Sequence, residues 1–177
     1  MNKDIYNTID IAAAYIRKGY AAIPVQSQSK KPINSGWQNL KLNEDNFKEY
    51  FTSPYMNVGV VLGEASNGLI DVDLDDPVAL LYADYFLPKT DSIFGRDSNP
   101  SSHRLYIVPD PAARKYFATA KGKDAMIVEI RSNACFTVFP GSVHESGELV
   151  RFEKEGDPGE TTWAILADSA RKVALVD

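Results

Sequence analysis

Cysteine is almost missing from this chain: Cys135 stands alone among 177 residues. A single thiol excludes an internal disulfide and any multi-cysteine metal site. No apolar run approaches the roughly 20 residues a helix needs to span a bilayer. The opening "MNKDIYNTID" lacks the apolar core of a secretory signal. Repeats and low-complexity tracts are absent as well. A soluble, cytoplasmic protein with no membrane partner is therefore expected. Net charge, at −5, argues weakly against a protein that coats duplex nucleic acid. It says little about a protein gripping nucleic acid in one cleft, because local fields decide that.

The chain has ordinary globular proportions, with 44% hydrophobic and 24% charged residues. Its length suits one domain, or two small lobes sharing a core. Helical spacing predicts a helix in "TIDIAAAYIRKGY", capped by Thr8 or Asp10 and ended by Gly19. A second is predicted in "LNEDNFKEYF", capped by Asn43. A third in "PVALLYADYFL" has Pro77 in its favoured first turn and Asp75 or Asp76 as cap, and a terminal one lies in "ETTWAILADSARKVALVD". Alternation predicts strands in "AAIPV", "NVGVVLG", "GLIDVDL", "HRLYIV", "AMIVEIR", "ACFTVFP" and around "ELVRFE". "EASN" reads as a hairpin turn joining the second and third of these. "LPKTDSIFGRDSNPSS" reads mostly as loop, and "PDPAARKYFATAKGKD" as a connection with a short helix. The expected fold is α+β: a mainly antiparallel sheet with helices packed on it.

Four carboxylates crowd "GLIDVDLDD" at residues 68–76. Strand alternation turns Ile70, Val72 and Leu74 to one side, and Leu69, Asp71 and Asp73 to the other. Two carboxylates two residues apart on one face can converge on hard cations such as Mg²⁺, which take oxygen ligands. A bound cation would also offset the repulsion of like charges there. A solvated strand end explains Asp71 and Asp73 equally well, and the residues alone leave both readings open.

In "RDSNPSSHRLYIV", alternation puts Ser101 and His103 on one face at the mouth of a strand. A histidine there can contact phosphate or relay a proton, although a lone histidine is more often an ordinary surface or core residue. Arg96 precedes it in a loop, where a guanidinium suits phosphate but is usually solvated. In "MIVEIR", Met126, Val128 and Ile130 share one face and Ile127, Glu129 and Arg131 the other. Glu129 in a buried-looking strand requires a partner, either Arg131 or a cation; an internal Glu–Arg pair is the plainer reading. Each signal is weak, and together they give three strands with one polar face apiece.

The order of these signals resembles the three motifs of the archaeo-eukaryotic primase superfamily: the acidic pair "DVD", Ser-x-His in "SSH", and an apolar-flanked acid in "VEIR". More narrowly, the chain resembles the bifunctional primase-polymerase N-terminal domain of plasmid, phage and other prokaryotic replication proteins. "GYAAIPV" with "KKP" and "GW", then "NVGVVLGEASNGLIDVDLD", then "VEIRSNACFTVFPGSVHESG" carry the likeness from about residue 10 to about residue 155. Two departures stand out: "NPSS" where the family usually has Gly-Gly, and "PG" where it has Pro-Pro.

The resemblance implies a primase-like core with an RRM-like sheet and two small lobes around a cleft, divided near residues 1–62 and 63–177 within one catalytic domain. It implies that Asp71, Asp73 and Glu129 hold two Mg²⁺ or Mn²⁺ ions. His103, with Ser101, would contact the triphosphate of an incoming dNTP or NTP. Arg96 and Arg131 would clamp that triphosphate, Ser142 and His144 would line the nucleotide pocket, and Lys30 and Lys31 would meet a single-stranded DNA template. Trp37 is expected to pack under its loop. The implied activity is template-dependent nucleotidyl transfer to a 3′-hydroxyl, within a larger replication protein or beside a helicase. No zinc pattern is present, so extension is expected to outrun initiation. Two other readings remain in view: a non-catalytic module binding single strands and nucleotides, and, more remotely, a phosphatase with Asp71 as nucleophile.

Overall fold

The computed structural model describes residues 7–110 and 127–175, together with the backbone of 115–118. Helix α1 (Thr8–Arg17) opens the described chain. Asn7, not Thr8 or Asp10, caps it, its side chain accepting from the Ile9 amide at 3.2 Å. Thr8 turns inward instead and donates to the carbonyls of Pro54 and Met56. Strands β1 (Ala21–Val25) and β2 (Asn57–Val61) pair antiparallel, with Pro24 on the outer strand, where the amide it lacks costs no ladder bond.

Between them, the helix expected in "LNEDNFKEYF" shrinks to one tight turn at Phe47–Glu49. Asn43 and Asn46 do cap it reciprocally, each side chain accepting from the other's amide. Phe47 and Phe51 then anchor that turn in the core, and no third apolar position extends the stripe before Pro54.

Strand β3 (Leu69–Leu74) does not form a hairpin with β2. Gly63 and Gly68 take positive φ, an isolated bridge joins Gly63, beyond the end of β2, to Leu69, and the chain crosses from one sheet to another. Alternation reveals a strand's faces but not which sheet it joins. Helix α2 (Pro77–Phe86) begins as expected, with Asp76 accepting from the Val78 amide at 2.7 Å; such a cap contributes about 1 kcal/mol.

The segment read as loop contains strand β4 (Ser92–Arg96), which turns at Asp97–Ser98 into β5 (Asn99–Ile107). Its Asp, Ser, Asn and Pro residues look like loop chemistry, but they serve a two-residue turn and a bulge. Opposite Gly95 the register shifts, and Ser101 adopts a φ of 56°. Strand β6 (Lys115–Ala118) follows. The short helix expected in 109–124 otherwise falls outside the described residues, as does Met126.

The chain continues through β7 (Val128–Arg131), β8 (Phe136–Val138), β9 (Arg151–Glu155), β10 (Gly159–Glu160) and α3 (Trp163–Leu175). The large sheet runs β6-β7-β3-β5-β4-β9, antiparallel throughout, with β10 parallel to the end of β5. The small sheet is β1-β2-β8. Residues 1–62 thus supply two of its strands, and the third comes from 136–138. The architecture is α+β, with no closed barrel among the described residues.

Both faces of the large sheet are covered, which is why every residue of β3 is buried. On one face Ile70, Val72, Leu74, Val128 and Ile130 pack against α2 and α3, and Ile127 joins them rather than Glu129. The other face meets α1 and the small sheet through Leu69, Phe94, Leu105 and Phe139. Asp71 and Asp73 lie on this second face. Two crossings between the sheets run side by side there. Leu62 donates its amide to the Cys135 carbonyl, and Glu64 donates its amide to the Asn133 side chain, both at 2.9 Å. Their proximity brings β8 over the acidic end of β3.

Candidate active site

Strand β3 lies between β5 and β7. Register places His103 opposite Asp73 on one side and Glu129 opposite Asp73 on the other, with Arg131 opposite Asp71. Direct antiparallel partners turn their side chains to the same face, with Cβ atoms about 5 Å apart. Glu129, Asp73 and His103 therefore stand abreast. Exposure is 0% for Asp71, 5% for Asp73 and 2% for Glu129. Burying carboxylates this deeply requires partners.

Cations and hydroxyls supply them. His103 Nδ1 lies 3.0 Å from Asp71 Oδ2 and 3.5 Å from Asp73 Oδ1. Arg131 pairs with Glu129 through Nε at 2.7 Å and with Asp73 through Nη2 at 2.5 Å. Thr137, from β8 in the other sheet, donates to Asp71 Oδ2 at 2.6 Å. Phe94 stacks on the His103 ring at 4.6 Å and fixes its plane.

Protonation follows from this balance. Burial alone would raise Asp71, but the charge and hydrogen bond of His103, then Arg131 and Thr137, hold it below the usual carboxylate range. At Asp73 burial prevails over His103 and Arg131, and the neighbouring charges of Asp71 and Asp75 push its pKa further up. Burial opposes charge on His103, yet Asp71 and Asp73 outweigh it and keep the ring protonated above its ordinary value.

This cluster opens on a pocket of about 330 Å³. Its lining combines the basic side chains of Lys30, Arg96, His103, Arg131 and His144 with the apolar Trp37, Cys135, Phe136, Val138 and Val150. Trp37 meets Phe136 edge to face at 4.8 Å, so it both packs, as expected, and forms part of the wall. The His144 pKa is lowered by partial burial and then by the charges of Arg96 and Lys30, a sign of how these cations converge. Glu148 organises the rim. Its carboxylate accepts from the Ser98 amide at 2.6 Å, the Ser98 hydroxyl at 2.8 Å and the Ser146 hydroxyl at 2.6 Å, and it lies 3.4 Å from Arg96 Nε.

Several expected residues stand elsewhere. Ser101 is off the pocket wall, because the bulge opposite Gly95 interrupts alternation; its neighbour Ser102 lines the wall instead. Ser142 is buried, its hydroxyl accepting from the Val58 amide at 2.9 Å, so it pins a turn behind the wall. Lys31 is exposed outside the pocket. Sequence reasoning overlooked Thr137 and Glu148. A hydroxyl within the apolar run "ACFTVFP" was the available signal for the first; nothing in the sequence marks the second.

Oxygen donors on adjacent strands are the chemistry that Mg²⁺ and Mn²⁺ prefer, and by donor type Asp71, Asp73 and Glu129 fit them. As the side chains stand, among the described residues no group of His, Cys, Asp and Glu is laid out to hold a metal ion. Arg131 and His103 already engage those oxygens. No helix among the described residues is long and apolar enough to cross a membrane.

The fold is α+β with mostly antiparallel sheets, as a primase-like core has, and it sets a buried acidic row beside a basic, partly apolar pocket. The chain belongs to the bifunctional DNA primase/polymerase N-terminal family, whose profile matches residues 12–164. No curated protein matches the chain.

Proposed function

We propose that this chain is the catalytic domain of a template-dependent DNA primase/polymerase, transferring nucleotidyl units from dNTP or NTP to a 3′-hydroxyl with release of pyrophosphate. One observation carries the reading: Glu129, Asp73 and His103 stand abreast on three strands, beside a pocket lined by Arg96, Arg131 and His144. Asp71, Asp73 and Glu129 would hold two divalent ions. Such ions lower the pKa of the attacking hydroxyl and neutralise charge on the leaving group.

The chain's own side chains do the rest. With Nδ1 directed at Asp71, His103 offers Nε2 to a phosphate oxygen. Arg96 and His144 bind the triphosphate along the rim, and Glu148 orients Arg96 for that contact. The apolar wall of Trp37 and Phe136 takes the base, an aromatic surface that every base can use. Lys30 meets phosphate at the pocket edge, and Lys31 meets the single-stranded template from the exposed loop. Ser142 acts through the turn it pins, and Ser101 through the bulge that shapes the rim. The domain works as one catalytic unit within a larger replication protein, beside a helicase or another replication module.

A primed-template assay tests this, using labelled dNTP with Mg²⁺ or Mn²⁺. Wild type is expected to extend the primer, while Asp71→Asn and Glu129→Gln, folded by circular dichroism, fail to. Absence of incorporation by the wild type, with single-stranded DNA and nucleotide still bound, would leave the binding-module reading in its place.

A further inference from the structure

Arg131 occupies an unusual position. Its guanidinium reaches all three buried carboxylates, at 2.5 Å from Asp73, 2.7 Å from Glu129 and 3.9 Å from Asp71. It also lines the pocket, and its side chain keeps 21% exposure while the carboxylates keep almost none. Like His103 and Thr137 it faces both the acids and the space where a ligand would lie, but of these three it is Arg131 whose ion pairs take in Asp71, Asp73 and Glu129 together.

We propose that Arg131 is the resident counter-ion of the acidic row: divalent ions displace it, and the freed guanidinium swings into the pocket to grip the nucleotide. The proposal rests on the reading of Asp71, Asp73 and Glu129 as cation ligands. A guanidinium and a divalent ion repel one another and compete for the same oxygens, so both cannot hold the row together. His103 offsets only part of the charge of three buried carboxylates, and a fold that must exist before its metal arrives needs further positive charge built in. Asp71 keeps His103 and Thr137 whichever cation is present, so the position of Asp71 does not depend on Arg131.

Arginine suits both tasks. Its fork is always charged, and it matches carboxylate and phosphate alike through paired N–H donors. At the end of β7 its long side chain lines the same pocket as Arg96 and His144. Metal entry and delivery of a phosphate ligand then become one event. Nucleotide should tighten metal binding, and metal should tighten nucleotide binding by the same factor.

An arginine with only a structural role behaves differently, since removing it would loosen the row and weaken metal binding. The test is therefore the Mn²⁺ affinity of the nucleotide-free protein, by calorimetry or by the electron paramagnetic resonance of free Mn²⁺, for wild type, Arg131→Gln and Arg131→Lys. The expected result is Mn²⁺ binding at least about tenfold tighter in Arg131→Gln, with a lower melting temperature in the absence of metal and a larger upward shift on adding Mn²⁺. Arg131→Lys should fall between. Equal or weaker Mn²⁺ binding in Arg131→Gln overturns the proposal while leaving the metal reading intact; no Mn²⁺ binding by any of the three overturns both. Should Arg131→Gln fail to fold, the wild type answers with Arg131→Lys as its reference. Its Arg131 Nε–H resonance, assigned by its loss in Arg131→Lys, should move on Mg²⁺ titration, and a stationary resonance in a protein that binds Mg²⁺ overturns the proposal.

Discussion

The two faces of β3 are equally buried and obey opposite rules. Ile70, Val72 and Leu74 pack on α2 and α3, where contact is non-directional and each side chain contributes roughly by area. Asp71 and Asp73, pointing the other way, are held by named partners at fixed distances: His103, Arg131 and Thr137. On the first face a lost side chain leaves a cavity. On the second it leaves uncompensated charge, and the neighbours must rearrange or change protonation. Burial alone therefore does not tell a core from a site; what surrounds the buried atom does.

The sharpest way to break this contrast is Asp71→Ala. Removing one member of a buried ionic network typically costs about 3–5 kcal/mol, because His103, Arg131 and the Thr137 hydroxyl lose a partner together. Urea unfolding should show that loss, together with complete loss of primer extension. On the helix-packed face, Val72→Ala should cost about 2 kcal/mol through its cavity, with extension retained at temperatures where the protein is folded. Similar losses of activity from both would erase the distinction.

Thr137→Val keeps shape and removes one hydrogen bond to a charged acceptor, worth about 1.5–3 kcal/mol. Its expected signature is a rise of the Asp71 carboxyl pKa, read by carbon NMR, that Val72→Ala does not produce. The smallest effect belongs to the rim. Hydrogen bonds from Ser146 and then Ser98 draw Glu148 down to about 2. Because its folded pKa is depressed, the stability it adds is fully present above the ordinary carboxylate range and is lost progressively as pH falls from there through about 2. A titration midpoint for Glu148 near the ordinary value would show that the rim is not tethered as described. Glu148→Gln should leave the melting temperature nearly unchanged and raise the KM for nucleotide more than it lowers kcat.

Legibility in the sequence followed the range of the forces involved. Helices α1 and α2 were readable because caps and apolar spacing act within a few residues, although Asn7 rather than Thr8 closes α1. The turn at Phe47–Glu49 was overread as a helix, since capping chemistry is local but helix length needs a continuing apolar stripe. Strand β4 was hidden by the polar residues of its turn and bulge, and those same residues misplaced Ser101. Arg96 and His144 were legible as candidates by residue type, yet only Glu148, fifty positions from Ser98, shows how the rim is held.

By itself the sequence determined that Asp71 and Asp73 share a face, that Glu129 and Arg131 share another, and that α2 starts at Asp76–Pro77. These follow from a period of two and from a cap, both properties of neighbouring residues. Tertiary structure decided that the two faces are one. Strand register between β3, β5 and β7 sets Glu129, Asp73 and His103 abreast, and the crossing between sheets lowers Thr137 onto Asp71. Register over such separations is selected by packing on both sides of a sheet, which no local pattern encodes.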